Sequence, residues 1–158
     1  MRVLFVLPIA LAVALLQPAD PRAPSGFVCV AGHRPPVTAP ITDPFRPPPE
    51  PWLAGNRGLE YGTTPGDPVW ASHDGVVVFA GSIGPHRYVT VDHGCGLRTT
   101  YSFLADVVVA QGHTVGRGQL VGHAGEVRFH FGARLDGNYI DPELLFSHRL
   151  VRVVRLVA

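Results

Sequence analysis

Two kinds of apolar pattern divide this chain. Met1-Arg2 opens onto Val3 to Leu16, an apolar run interrupted by Pro8, and the polar, proline-bearing stretch Gln17 to Pro24 follows. A charged start, about 14 apolar residues and a small residue, Ala19, near the end make an export signal over residues 1–19; a spanning helix needs about 20. The mature chain is therefore expected in the cell envelope or secreted, outside the cytoplasmic membrane. Retention as an uncleaved anchor is the other reading. No cysteine follows the apolar run, which argues against a lipid anchor. Prolines then crowd residues 20–40, an extended leader that drapes over a domain edge or acts as a spacer.

From Ile41 onward the pattern changes to short β-branched runs between turn residues. Pro68 to Ala71, Val76 to Ala80, Tyr88 to Asp92, Leu97 to Leu104, Val107 to Ala110, Gln119 to Val121 and Val127 to Leu135 are separated by Asp74-Gly75, His93-Gly94-Cys95-Gly96 and similar punctuation. Strands joined by Asp-Gly and Gly-x-Gly turns are antiparallel hairpins, so the fold class is all-β, a sheet or sandwich over residues 41–147. One short helix is expected at Asp141 to Phe146, with Asp141 as cap and Pro142 at the first helical position. In Val127 to Leu135, Phe129, Phe131, Ala133 and Leu135 alternate with Arg128, His130, Gly132 and Arg134, the pattern of a half-buried strand with a polar face.

Composition agrees with this reading. Eighteen glycines and sixteen prolines in 158 residues exclude a helical bundle or coiled coil, while 46% hydrophobic residues exclude a disordered chain. A net charge of +1 with 16% charged residues gives no footprint for nucleic acid. Cys29 and Cys95 are the two cysteines. As an even pair in an exported chain they permit one disulfide, which would tie the leader to a hairpin turn; two unpaired thiols is the alternative. Trp52 and Trp70 read as core or rim packing rather than sugar platforms.

The ordered string Gly58-x-Glu60, Gly66 to Ala71, Asp74 to Gly81, Asp92-His93-Gly94, Thr100 to Leu104, Gly116 to Gly122 and His130-Phe131 resembles the lysostaphin/LytM-type zinc endopeptidases of peptidoglycan. The resemblance covers residues 41–146 and implies an extracytoplasmic β-sheet domain that holds a cell-wall peptide over a zinc ion. In that family the metal is held by the His and Asp of H-x-G-x-D and the second His of H-x-H. The His of Y-x-H-L and the first His of H-x-H handle protons. The corresponding motifs here read Asn56-Arg57-Gly58-Leu59-Glu60, Tyr101-Ser102-Phe103-Leu104 and Arg128-Phe129-His130. Of the five functional positions only His130 keeps the family's residue, and Glu60 is a same-charge substitute.

Hydrolytic zinc needs three protein ligands drawn from imidazole, thiolate and carboxylate, with a fourth position for water. Asn56 offers a neutral amide. Glu60 displaces its carboxylate by about one C–C bond, against a tolerance of ~0.2 Å. Arg128 lies two residues from His130 on a strand, shares its face, and opposes a divalent cation. Phe103 moves no proton, and acid–base help is worth about 10²- to 10⁴-fold. The expectation is a domain with an impaired zinc site and no catalytic residue. Asn56, Glu60, Tyr101, Arg128 and His130 would line a groove for peptidoglycan stem peptides, or the domain would act on a cell-wall hydrolase, with no cofactor expected. The alternative is a working metalloendopeptidase whose zinc sits on Glu60 and His130.

His73, His86, His93, His113 and His123 all fall beside Gly, Pro or Asp turn signals, where a solvated or hydrogen-bonded imidazole is the ordinary outcome. A relocated zinc site, for instance one pairing His123 with His130, is the minor reading. Residues 148–158 set Arg149, Arg152 and Arg155 among apolar neighbours. That tail is expected to pack on the sheet, with weak contact to an anionic surface the alternative.

Overall fold

The computed structural model describes residues 32–50, 52–126 and 128–147. The expected signal segment, most of the leader, Cys29 and the basic tail lie outside the described residues. In chain order the elements are β1 (Ile41–Asp43), β2 (Gly58–Tyr61), β3 (Pro68–Trp70), β4 (Gly75–Ile83), β5 (His86–Asp92), β6 (Leu97–Val107), β7 (Thr114–Val115), β8 (Leu120–Ala124), β9 (Phe129–Leu135), β10 (Asn138–Ile140) and α1 (Glu143–Phe146). Every described pairing is antiparallel. The sheet runs β1-β2-β9-β6-β5-β4-β7, β10 adds to β9, and β8 joins β3 to β6. The expected all-β antiparallel architecture is thus the one adopted, and both ends of this path are strands of two or three residues, which limits exposed edge.

The hairpins follow from their turn residues. At the β5–β6 turn Gly94, Cys95 and Gly96 all take left-handed φ values of 79°, 53° and 77°, which glycine adopts freely. The carbonyl of Gly94 accepts the Leu97 N–H at 2.9 Å and closes the turn. At the C-terminal end the Asp141 carboxylate accepts the Glu143 N–H at 3.0 Å, but the helix begins at Glu143 with Pro142 in the N-cap position and no side-chain cap, one residue later than the sequence suggested.

Cross-strand partners share a face, so the register sorts the residues. Val89, Tyr101, Phe131 and Leu59 form one row across β5, β6, β9 and β2, and all four are fully buried. They join Val69, Val77, Val91, Val115, Val121 and Phe129 in the main core. The adjacent register row, Tyr88, Ser102, His130, Glu60 and Asp43, lies on the opposite face. A smaller cluster of Leu97, Ala133 and Leu145 seats α1 against the sheet.

Packing reaches back past Ile41. His33 and Val37 are buried. The Arg34 N–H donates to the Ser72 carbonyl at 2.9 Å, and the Trp70 N–H donates to the Pro36 carbonyl at 2.8 Å. Residues 33–37 are therefore strapped along β3 and the turn that follows it.

Candidate functional site

His130 and Glu60 face each other across the β2–β9 ladder. The imidazole lies over Gly58: a Cβ there would sit 2.7 Å from His130 Nε2 and 2.3 Å from the Phe131 carbonyl oxygen, so the ring position requires glycine. Burial holds the His130 pKa below its ordinary value against the opposing pull of Glu60 and Asp43, so the ring is neutral at pH 7. Arg128 Nη1 stands 3.1 Å from Glu60 Oε2, with side-chain exposures of 65% and 24%. Their geometry is that of an ion pair without a hydrogen bond, and Oε2 is buried with no hydrogen-bond partner among the described residues.

Phe103 reaches the same place through a β-bulge. Tyr88 pairs with Ser102 and Arg87 with Leu104, which leaves Phe103 as an extra residue in β6, and its φ is 66°. A bulge re-aims the side chain that strict alternation would send to the opposite face. The Phe103 ring accordingly meets His86 at 5.0 Å, Tyr88 at 5.8 Å and His130 at 6.5 Å between centroids.

Two of the expected groove residues sit elsewhere. Asn56 is only 5% exposed. Its Nδ2 donates to the carbonyls of Asp43 and Pro44, both at 3.1 Å, and its Oδ1 accepts the Gly58 N–H at 3.1 Å. It ties β1 to the start of β2 and presents nothing to a ligand. Tyr101 belongs to the core face because it alternates with Ser102. Its hydroxyl accepts the Ser72 N–H at 2.7 Å and donates to Ser72 Oγ at 3.1 Å. Of the residues expected to line a groove, Glu60, Arg128 and His130 come together here, with the Phe103 ring against His130.

The Glu60 carboxylate beside a neutral imidazole is a fragment of a cation site, but the fragment is incomplete. Two donors of zinc type are present where a hydrolytic ion needs three, the Asn56 amide is consumed by backbone partners, and a guanidinium already faces the carboxylate. These residues do not fit a hydrolytic zinc ion.

Of the histidines expected at solvated turns, His123 is held by Asp106, with Nδ1 at 2.9 Å from Oδ1, so it does not join His130. His113 Nδ1 accepts the Ala110 N–H at 3.4 Å. His73 and His93 instead converge with His33, with one ring nitrogen from each within 4.8 Å of the others. His93 Nδ1 lies 2.7 Å from the Asp74 carbonyl and Nε2 lies 2.7 Å from Thr99 Oγ1. His33 Nδ1 lies 3.0 Å from Ser72 Oγ. Burial, seconded by the neighbouring His73, lowers the pKa of His93 below its ordinary value, against the raising effect of its bond to Asp74. His33 comes from the proline-rich strap, which carries no periodic signal, and sequence reasoning passed over it. Cys95, two residues beyond His93, is disulfide-bonded; its expected partner Cys29 lies outside the described residues.

Comparison with known proteins identifies the scaffold. The model of "Peptidase family M23" matches residues 54–142, more than half of the chain. An uncharacterized protein of Mycobacterium tuberculosis is 34% identical over 131 residues, covering 70% of this chain and 53% of its own. The peptidoglycan DD-endopeptidase ShyA of Vibrio cholerae is 32% identical over 105 residues, 65% of this chain and 23% of its own. Thus the chain spans about half the length of the mycobacterial relative and less of the other. Among solved structures, a zinc-containing peptidase from Vibrio cholerae superposes with a TM-score of 0.63 at 26% identity, over 71% of this chain and 39% of that one. The order of motifs, the sheet and these matches agree, and the chain belongs to peptidase family M23.

Proposed function

We propose that this M23 domain binds peptidoglycan in the cell envelope and, through that binding, regulates cell-wall hydrolysis without cutting the wall itself. The observation that carries the reading is the Arg128–Glu60 ion pair beside His130. A guanidinium stands where two family-type donors would leave room for a divalent ion. Arg128 remains well exposed, so its free N–H groups can grip a stem-peptide carboxylate in the bidentate manner that suits Arg better than Lys. The Phe103 ring, with Tyr88 against it, supplies an apolar wall for the aliphatic part of such a peptide.

Pull-down on insoluble cell-wall sacculi tests the proposal. The purified chain is expected in the pellet, Arg128→Ala is expected in the supernatant, and turbidity of the sacculi is expected to stay constant with added zinc. Zinc-dependent loss of turbidity that disappears in His130→Ala would replace this reading with a metalloendopeptidase working on Glu60 and His130. Absence of retention would leave only a scaffold.

A further inference from the structure

The richest unassigned chemistry lies on the other side of the sheet, at the end of β5. His33 comes from the N-terminal strap, His73 from the β3–β4 turn and His93 from the β5–β6 turn. Three segments far apart in sequence thus bring three imidazoles together, with ring centroids 4.8 Å apart for His33–His73 and His33–His93 and 6.3 Å for His73–His93. We propose that His33, His73 and His93 bind one transition-metal ion of the zinc class, and that the ion staples residues 33–37 to the domain.

The second layer of contacts is what distinguishes this cluster from three neighbouring histidines. A backbone carbonyl can only accept, so the 2.7 Å contact to Asp74 fixes the proton of neutral His93 on Nδ1 and leaves the Nε2 lone pair available. His33 Nδ1 lies 3.0 Å from Ser72 Oγ, a hydroxyl that can donate or accept, so this contact orients the ring without assigning its tautomer. Histidines that bind metal nearly always have the far nitrogen oriented by such a partner. Among the described residues His73 makes no hydrogen bond, and it is half-buried in its turn, with Nε2 close to the position of a Cβ on Gly32. It is the ring free to swing inward.

Binding requires a modest contraction. Zinc–nitrogen bonds of 2.0–2.1 Å place tetrahedral donors about 3.4 Å apart, against the 4.8 Å within which the nitrogens now fall. It also requires His93 Nε2 to leave Thr99 Oγ1. The hydroxyl released by that step is not orphaned, because Tyr101 Oη already stands 3.2 Å from Thr99 Oγ1 as an acceptor. Three neutral imidazoles with no carboxylate suit zinc, nickel, copper or cobalt and reject magnesium and calcium. The set is independent of Glu60 and His130, which lie on the opposite face, so the staple does not depend on the function proposed above.

The test uses the full chain purified without a polyhistidine tag, stripped with chelator and titrated with zinc ion alone by calorimetry. One equivalent is expected to bind at micromolar or lower concentration, magnesium is expected to give no heat, and cobalt is expected to give the visible absorption of a tetrahedral site. His73→Gln is the informative variant because that side chain makes no hydrogen bond among the described residues, and circular dichroism verifies its structure. It is expected to weaken zinc binding at least tenfold and to abolish the rise in melting temperature that zinc gives the parent chain. Glu60→Gln and His130→Gln are expected to leave both readouts unchanged. Zinc binding of unaltered strength in folded His73→Gln, loss of binding in His130→Gln, or no binding by the parent chain would each overturn the assignment.

Discussion

Replacing Tyr101 by Phe removes one oxygen and decides on which side of the sheet the ring lies. The Tyr101 hydroxyl is the acceptor for the Ser72 N–H at 2.7 Å, the donor to Ser72 Oγ at 3.1 Å and an acceptor for Thr99 Oγ1 at 3.2 Å. Tyr101, Ser72 and Thr99 are each fully buried, so no water replaces the lost partner. Leaving the Ser72 N–H buried and unpaired costs about 1–3 kcal/mol. For a domain of this size that corresponds to roughly 4–12 °C in melting temperature. Urea unfolding followed by fluorescence measures it, with an unchanged slope showing that both end states keep their compactness. Tyr139→Phe, altered on an exposed residue, serves as the control and is expected to stay within about 0.5 kcal/mol. A loss below about 0.5 kcal/mol for Tyr101→Phe would mean that water reaches the hydroxyl, and would restore Tyr101 to the polar groove that its place in the Tyr101-Ser102-Phe103-Leu104 motif implies.

Asn56→Ala deletes the amide that holds the Asp43 and Pro44 carbonyls and the buried Gly58 N–H; a loss of about 1–3 kcal/mol in urea unfolding is expected, and a neutral result would show the amide to be solvent-facing. Gly58→Ala drives a methyl into the Phe131 carbonyl and the His130 ring, so destabilisation at or above the usual 1–3 kcal/mol of overpacking is expected, with an unaltered midpoint refuting the close approach. Burial lowers the His130 pKa in the fold, while the unfolded ring titrates near about 6.5. The unfolded chain therefore binds more protons below that value, so this contribution is complete above about pH 6.5 and declines as pH falls toward the folded pKa. His130→Gln is expected to flatten the stability–pH curve below about pH 6.5 without levelling it, because His93 shifts in the same direction; an unchanged slope would show that His130 is as solvated folded as unfolded.

Where local pattern decides structure, the sequence is readable. Alternation in Phe129 to Leu135 gives the buried face of β9, the Gly-x-Gly turn gives the β5–β6 hairpin, and Asp141-Pro142 marks the place of α1 to within a residue. The pairing of Glu60 with Arg128 and His130 follows from motif order once the family's sheet is supposed. What fails is any inference that treats a motif as a list of side chains pointing one way. Ser102 and Tyr101 are adjacent in one motif yet on opposite faces, and Phe103 returns to the Ser102 side only because a bulge adds a residue. A bulge depends on the partner strand's register, and no single segment encodes it. Asn56 misleads for a different reason: a short amide beside a strand start satisfies backbone groups more readily than it meets a ligand.

The histidine cluster shows the same limit from the long-range side. His73 and His93 are each placed correctly beside a turn, but a turn residue's neighbours are set by which strands close around it. β4 and β5 pair along their length, which brings the turn before β4 next to the turn after β5. The strap then lays His33 over both because Trp70 and Arg34 exchange backbone hydrogen bonds with it and with Ser72. One sheet therefore carries two chemistries on opposite faces. Around His130 a guanidinium faces the Glu60 carboxylate, while near Ser72 and Tyr101 three imidazoles converge within one hydrogen-bonded network. If an ion belongs to this domain, donor count and second-layer hydrogen bonding both favour the strap side. Its consequence would be to fix the strap and the two turns beneath it, away from the His130 face on which ligand binding is proposed.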